Sequence, residues 1–119
     1  MKPYFLFLDD IRDPNQVFAY TEQIIFLDQK WTVVKTYQEF VTFIIDNGLP
    51  EFISFDHDLG EESMTNVEEK SGYDCAKWLI EYCITEKIIL PAYFCHSMNP
   101  VGKVNINGLL NTYAKFRLK

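Results

Sequence analysis

Residues capable of chemistry stand directly after three short apolar runs of the chain. The runs span residues 4–8, 52–55 and 92–95, and each reads as a buried strand. Consecutive ionisable side chains are rare in a packed core, because burying a charge without a partner costs on the order of several kcal/mol. The polar side chains are Asp9, Asp10 and Arg12 after the first run, Asp56, His57 and Asp58 after the second, and His96, Ser97 and Asn99 after the third.

The carboxylates predict a site for a hard divalent cation. Asp9 and Asp10 follow the first run, whereas Asp56 and Asp58 follow the second. Converging carboxylate oxygens suit Mg²⁺ or Mn²⁺, and such an ion would in turn bind a phosphate. The competing interpretation is a pair of solvated turns at strand ends, where Asp is common anyway. Two acidic turns on neighbouring strands, together with His57, favour the metal site.

The chain has two histidines, and both come after predicted strands. His57 and His96 at one rim of a sheet fit either a general acid–base pair or metal ligands. Asp56 or Asp58 could fix the tautomer of either imidazole. A lone histidine is more often a hydrogen-bonded structural residue, so the interpretation depends on the two lying together.

Positive charge and a helix start accompany the acidic groups. Arg12 could clamp a phosphate with two hydrogen bonds, or balance Asp9 and Asp10, or do both. Asn99 and Pro100 are typical of the N-cap and first position of a helix. Backbone N–H groups at that start favour an anion, Gly102 permits close approach, and Lys103 adds charge. An ordinary capped helix would explain Asn99 and Pro100 but neither Ser97 nor Gly102.

The elements that must position these residues alternate between strand and helix. A further strand is predicted over residues 31–35, and amphipathic or capped helices follow at residues 37–45, from 72 onward and from 100 onward. Residues 13–15 read as a turn, residues 16–30 as either helix or short strand, and residues 61–71 as an acidic loop that could act as a lid. This alternation predicts an α/β fold with a parallel sheet in the order 2-1-3-4, which places Asp9, Asp10 and Asp56 side by side.

Composition limits the classes of protein to consider. The chain has 119 residues, of which 48% are hydrophobic, so we expect one domain over residues 1–119 with a real core. A net charge of −6 argues against binding an extended nucleic-acid duplex, although bound cations would still admit a nucleotide or an RNA end. Three cysteines without a CxxC pair predict free thiols, and no apolar run is long enough to cross a membrane. We therefore expect a cytoplasmic location.

Three motifs together resemble the cyclic-phosphate-processing receiver-like domains. They are Leu-Asp-Asp-Ile-Arg-Asp-Pro from residue 8, Ser-Phe-Asp-His-Asp-Leu-Gly from residue 54, and His-Ser-Met-Asn-Pro-Val-Gly-Lys-Val-Asn-Ile from residue 96. The resemblance implies a three-layer, flavodoxin-like receiver fold and the processing of cyclic phosphates on nucleotides or RNA ends, in RNA repair or conflict.

The resemblance also carries residue roles. It implies that Asp9 and Asp10 are the acidic pair that binds Mg²⁺ and that Asp56 is the aspartate phosphorylated in ordinary receivers. The chain lacks a clear fifth strand with its Lys-Pro, which weakens a role in histidine-kinase signalling. The family's additional polar positions are matched by His57, Asp58, His96, Ser97, Asn99 and Asn105.

Three functions fit these residues. The first is a metal-dependent phosphoesterase in which Asp9, Asp10 and Asp56 hold Mg²⁺ or Mn²⁺ and the two histidines, with Asp58, transfer protons. Arg12 and Lys103 would neutralise charge on the phosphate, with Ser97, Asn99 and Asn105 binding substrate. The second is a non-enzymatic receiver-like module phosphorylated on Asp56. The third is a protein that binds a nucleotide without turning it over.

Overall fold

The sheet has four parallel strands in the predicted order. The computed structural model describes residues 3–59 and 70–117. The order β2-β1-β3-β4 confirms the α/β fold class and the predicted 2-1-3-4 topology. The predicted first and second strands are each one residue too long, at Tyr4 and Lys35. The strands are β1 (Phe5–Leu8), β2 (Trp31–Val34), β3 (Phe52–Phe55) and β4 (Ala92–Cys95).

The connection from β1 to β2 contains two helices where the sequence was ambiguous. Helix α1 spans Pro14–Thr21 and helix α2 spans Ile25–Asp28. The predicted turn at residues 13–15 is wrong, because Asp13 caps α1: its carboxylate accepts from the Gln16 N–H at 2.9 Å, and the Gln16 side chain accepts from the Asp13 N–H at 2.8 Å. Reciprocal bonds of this kind satisfy two N–H groups that a helix start leaves free, so Asp-Pro-Asn opens a helix here.

The three remaining helices begin where the sequence predicted them to begin. Helix α3 (Tyr37–Asn47) starts after Thr36, whose hydroxyl accepts from the Glu39 N–H at 3.0 Å. Helix α4 (Gly72–Glu86) starts after Ser71, which forms a capping box with Asp74. Helix α5 (Pro100–Arg117) starts at the predicted proline. The predicted acidic loop over residues 61–71 lies outside the described residues except for its last two.

Two hydrophobic clusters cover the two faces of the sheet. Leu6, Leu8, Ile53 and Phe55 point toward α3, α4 and α5 and form the larger cluster with them. The other face carries Phe7, which packs with residues of α1 and α2 in a smaller cluster. Since successive strand residues alternate between faces, one strand can supply both clusters, as β1 does with Leu6 and Leu8 on one face and Phe7 on the other.

The parallel arrangement brings all strand carboxyl ends to one edge. Leu8, Val34 and Phe55 are in register, and Phe55 pairs with Cys95, so the residues that follow these strands emerge at the same level. Ligands bind at this edge in open α/β sheets. Among the described residues, no helix combines the length and apolarity needed to span a bilayer.

Candidate active site

Two carboxylates and one imidazole form a buried cluster at this edge. Asp9 follows β1, Asp56 follows β3 and His96 follows β4. One potential ligand atom from each lies within 4.8 Å of the others. Their exposed fractions are 1%, 4% and 1%, respectively. The expected convergence of the strand-end polar residues is therefore present for these three.

Both ring nitrogens of His96 are engaged. Nδ1 lies 2.6 Å from the Ser54 hydroxyl oxygen, and Nε2 lies 3.0 Å from Oδ2 of Asp9. The ring stacks on Phe7, with centroids 4.7 Å apart and planes 3° from parallel. Burial lowers the pKa of His96, although its bond to Asp9 opposes that shift. Ser54 was not among the predicted site residues, although it is the one polar residue within β3.

The backbone after β1 orients Asp9. Its Oδ1 accepts from the N–H groups of Ile11 at 2.9 Å and Arg12 at 3.0 Å. Burial alone would raise the pKa of Asp9, but hydrogen bonds from His96 and from these two backbone groups outweigh it and lower the pKa. Asp9 is thus an ionised carboxylate with Oδ2 directed at His96.

Arg12 lies between the two buried carboxylates. Its Nη1 is 3.4 Å from Oδ2 of Asp9 and 3.8 Å from Oδ1 of Asp56, with 30% of its side chain exposed. One guanidinium does not fully offset two carboxylates. Burial, and then the charge of Asp9, raise the pKa of Asp56 to about 6. The contacts fit charge balance in the free protein and leave guanidinium edges available to an anion.

The cluster fits a divalent cation on its donor chemistry. Two carboxylates and an imidazole suit Mn²⁺, and carboxylates with water suit Mg²⁺. Asp10 supports this fit, because its Oδ1 is buried without a hydrogen-bond partner among the described residues. Burial raises the pKa of Asp10. Excess negative charge and a buried acceptor without a donor are the features that a bound cation would compensate.

His57 differs from His96 in being oriented but accessible. Its Nδ1 lies 2.9 Å from Oδ1 of Asp58, and 21% of its side chain is exposed. The Asn99 side-chain amide donates to Oδ2 of Asp58 at 3.1 Å and so holds that carboxylate in place. The hydrogen bond from His57 lowers the pKa of Asp58. The described part of the chain provides no hydrogen bond to Nε2 of His57.

The start of α5 is occupied by protein groups. The Gly102 N–H donates to Oδ1 of Asn99 at 3.0 Å, and the Asn99 N–H donates to the Ser97 hydroxyl at 3.1 Å. A Cβ atom on Gly102 would lie 2.3 Å from Cγ of His57. The close approach expected at Gly102 is therefore made by the His57 ring, and the expected anion seat over Gly102 is wrong.

The remaining predicted residues lie in two different places. Lys103 and Ser97 line a cleft beside His96, and the Lys103 ammonium is 5.9 Å from the Phe94 ring centroid. Asn105 is exposed and lines a groove between α4 and α5 with Tyr73 and Gly108. None of the residues lining that groove belongs to the acidic cluster, so the structure does not bring Asn105 to the other predicted site residues.

Comparisons with known proteins agree with the motifs. No curated protein matches the chain significantly. A solved structure described as the yeast Spc42 trimeric coiled-coil, amino acids 181–211, fused to another structure superposes with a TM-score of 0.54 at 16% identity, covering 98% of this chain and 75% of that one. At such identity the likeness concerns the fold alone. The family model for the cyclic-phosphate processing receiver domain matches residues 4–112, and the chain therefore belongs to that family.

Proposed function

We propose that the protein is a metal-dependent phosphoesterase that opens cyclic phosphates of nucleotides or RNA ends, of which a 2′,3′-cyclic phosphate is the simplest case. The family name supports the cyclic phosphate as the chemical class. The observation that carries the proposal is the buried cluster of Asp9, Asp56 and His96 with Arg12 against it. An accessible and oriented imidazole, His57, accompanies that cluster.

Asp9, Asp56 and His96 would hold Mg²⁺ or Mn²⁺, with Asp10 as a further carboxylate. When bound, such an ion polarises the phosphoryl group and offsets the charge that builds up on its oxygens. As a ligand, His96 would present the Nε2 lone pair, with the Nδ1 proton donated to the Ser54 hydroxyl oxygen 2.6 Å away. The ion would then replace the present contact between Nε2 and Asp9. This choice takes the metal-ligand alternative for His96; its predicted role as a second proton-transfer residue stays untested.

Arg12 would bind the phosphate through guanidinium N–H groups that Asp9 and Asp56 do not use. Its long contacts of 3.4 and 3.8 Å cost little to exchange for a phosphate oxygen. The guanidinium remains charged at any working pH, so it stabilises a dianionic transition state without giving up a proton.

His57 would act as the general base. Asp58 would accept a hydrogen bond from Nδ1–H and thereby favour the tautomer with an unprotonated Nε2, which is the state that can take a proton from water. The water oxygen bonds to phosphorus, and the bond from phosphorus to one ribose oxygen breaks. His57 holds the water's first proton, the released ribose oxygen takes a proton from solvent, and the product is a phosphomonoester.

The proposal is tested by incubating the protein with nucleoside 2′,3′-cyclic phosphates and Mg²⁺ or Mn²⁺ and following monoester formation by ³¹P NMR. We expect turnover in the wild type and its loss in Asp56→Asn. Asp46→Asn is the matched control because Asp46 is an exposed carboxylate on α3. The absence of turnover on any cyclic nucleotide, with wild type equal to Asp56→Asn, would refute the proposal.

Metal binding is measured separately from activity. Titration of Mn²⁺ followed by its electron paramagnetic resonance signal should show a site that Asp9→Asn weakens and Asp46→Asn leaves unchanged. Binding of equal strength in both variants would place the metal elsewhere.

A phosphoacceptor role is the alternative, and the position of Asp56 favours it. Asp56 follows β3 and lies beside Asp9 and Arg12, as expected of a receiver-type acceptor. Treatment with a small phosphodonor followed by mass spectrometry would reveal an acyl phosphate on Asp56. A stable acyl phosphate without turnover of cyclic nucleotides would select this alternative.

A further inference from the structure

A cleft with His96 in its lining lies beside the acidic cluster. It has a volume of about 540 Å³ and lies on the sheet face that α1 covers. We call it the α1 cleft. Its lining includes Tyr20, Gln23, Phe94, Ser97, Met98 and Lys103.

The α1 cleft is joined to the acidic cluster through His96 and Tyr20. His96 lines the cleft, while its Nε2 bonds Asp9 in the cluster. The Tyr20 hydroxyl donates to the His96 carbonyl oxygen at 2.5 Å, and the Arg12 guanidinium lies 5.8 Å from the Tyr20 ring centroid. The cleft and the phosphate-binding side of Arg12 therefore have Tyr20 in common.

The lining of the cleft suits a nucleoside. Tyr20 and Phe94 provide aromatic surface, and Met98, which is 61% exposed, provides a polarisable apolar side chain at the rim. The Gln23 amide and the Ser97 hydroxyl can exchange hydrogen bonds with base or sugar. Aromatic rings that stack a base beside a few polar groups are the usual means of holding a single nucleotide.

Lys103 is the cationic side chain in the lining of the cleft. Its ammonium lies 5.9 Å from the ring centroid of Phe94, which lies on β4 two residues before His96. Among the described residues, Lys103 forms no ion pair with the carboxylates of the acidic cluster, whereas Arg12 lies 3.4 Å from Asp9 and 3.8 Å from Asp56. A phosphate at Arg12 and a second phosphate at Lys103 would therefore contact different side chains.

We propose that the α1 cleft binds the nucleoside that carries the cyclic phosphate and that Lys103 binds the phosphate on its 5′ side. This rests on the proposed function, because the cyclic phosphate is taken to lie at Arg12 and the acidic cluster. The ligand is then a nucleotide with phosphates on both sides, as at an RNA 3′ end. A single lysine contact of this kind is compatible with the acidic net charge of −6, which disfavours binding a longer backbone.

The test compares two ligands that differ only in the 5′ group. These are adenosine 2′,3′-cyclic phosphate and its 5′-phosphorylated form, titrated by calorimetry into a His57→Asn variant so that binding is measured without turnover. We expect the 5′-phosphorylated ligand to bind about tenfold more tightly, as one charge-assisted contact provides. Adding Lys103→Gln should abolish most of that preference.

Lys115→Gln is the matched control, since Lys115 is an exposed lysine on the same helix. It should retain the full preference. Equal affinity for the two ligands, or a preference that survives Lys103→Gln, would overturn the proposal. Hydrolysis by the wild type without a 5′ preference would reject the α1 cleft alone, whereas a Lys103-dependent preference without hydrolysis would reject the phosphoesterase alone.

Discussion

The two histidines occupy similar places in the sequence and opposite environments in the structure. Each follows a strand within two residues, and each contacts an aspartate. His96 is buried under α1, stacked on Phe7 and bonded through both nitrogens. His57 is partly exposed and bonded at Nδ1, where Asp58 orients it. The difference teaches that an imidazole's neighbours, rather than its place after a strand, decide whether its nitrogens are enclosed or accessible.

His57→Asn tests the accessible side of this comparison. Removing a general base typically lowers kcat by about 10²- to 10⁴-fold. Because the ring is partly exposed, the free energy of unfolding should change by less than about 1 kcal/mol. Turnover followed by ³¹P NMR measures kcat, and urea denaturation measures the free energy of unfolding. A large loss of stability, or unchanged turnover, would show that His57 is structural.

His96→Asn tests how much the contacts of the buried histidine contribute to stability. The change leaves a cavity under Phe7 and deprives Asp9 and Ser54 of their partner, so we expect the free energy of unfolding to fall by about 2–4 kcal/mol. Urea denaturation in the presence of a metal chelator measures this apart from any bound ion. A loss no larger than that of His57→Asn would mean that the contacts of His96 contribute little to stability.

Asp56→Asn separates the electrostatic cost of the cluster from its packing. The pKa of Asp56 in the folded protein is raised to about 6, so ionisation of this carboxyl destabilises the metal-free protein increasingly from about pH 4 to pH 6 and by a constant amount above that. Below about pH 4 the carboxyl is protonated in both the folded and the unfolded state, and this cost disappears. In chelator, the free energy of unfolding of the variant should exceed that of the wild type by about 3 kcal/mol at neutral pH and match it near the acidic limit.

The measurement is urea denaturation across that pH range, with Asp46→Asn as the control. Replacing the exposed Asp46 should change the free energy of unfolding by less than about 0.5 kcal/mol at every pH. A wild type more stable than Asp56→Asn at neutral pH without metal would mean that Arg12 fully offsets both carboxylates.

Gly102→Ala tests whether the packing of the His57 ring against Gly102 is needed for activity. The added Cβ would lie 2.3 Å from Cγ of His57, so the ring must shift away from its place beside Asp58. We expect kcat to fall about tenfold, since small misplacement of a catalytic group is costly. The readout is kcat together with the His57 ring resonances in an NMR spectrum; unchanged resonances would contradict the tight packing.

Gly108→Ala is the counterpart on the same helix. A Cβ at Gly108 meets nothing within 4 Å, and the residue lies within α5. Alanine in a helix interior is favoured over glycine by about 0.5–1 kcal/mol, so the variant should be more stable by that amount with unchanged kcat. Thermal denaturation checks the gain; a loss would mean that the groove between α4 and α5 needs the glycine.

Local patterns predicted the sheet because they depend on few neighbours. Four strands and three helices were recognisable from their own residues, and parallel pairing then required the strand ends to share an edge. The secondary structure of residues 16–30 was left open between helix and strand because α1 and α2 are short, and short helices depend on packing more than on propensity. The extent of the domain over residues 1–119 and its cytoplasmic location stay predictions.

The convergence of acidic residues and histidine was predicted, but the full set of residues at the site was not. Asp9, Asp56 and His96 converge as expected, whereas Asn105 lines a different groove and Ser54 was missed. Neither difference has a local cause: a polar residue inside an apolar run is informative only once its partner across the sheet is known. The same holds for Gly102, whose neighbour proved to be His57.

By itself, the sequence determined which residue types end each strand and that parallel strands deliver them to one edge, because alternation and pairing follow from the backbone. Only the tertiary structure decided which imidazole is enclosed and which is accessible. The physical reason is that burial and hydrogen-bond partners come from other elements: Ser54 from β3 and Phe7 from β1 enclose His96, whereas the start of α5 supports His57 from one side.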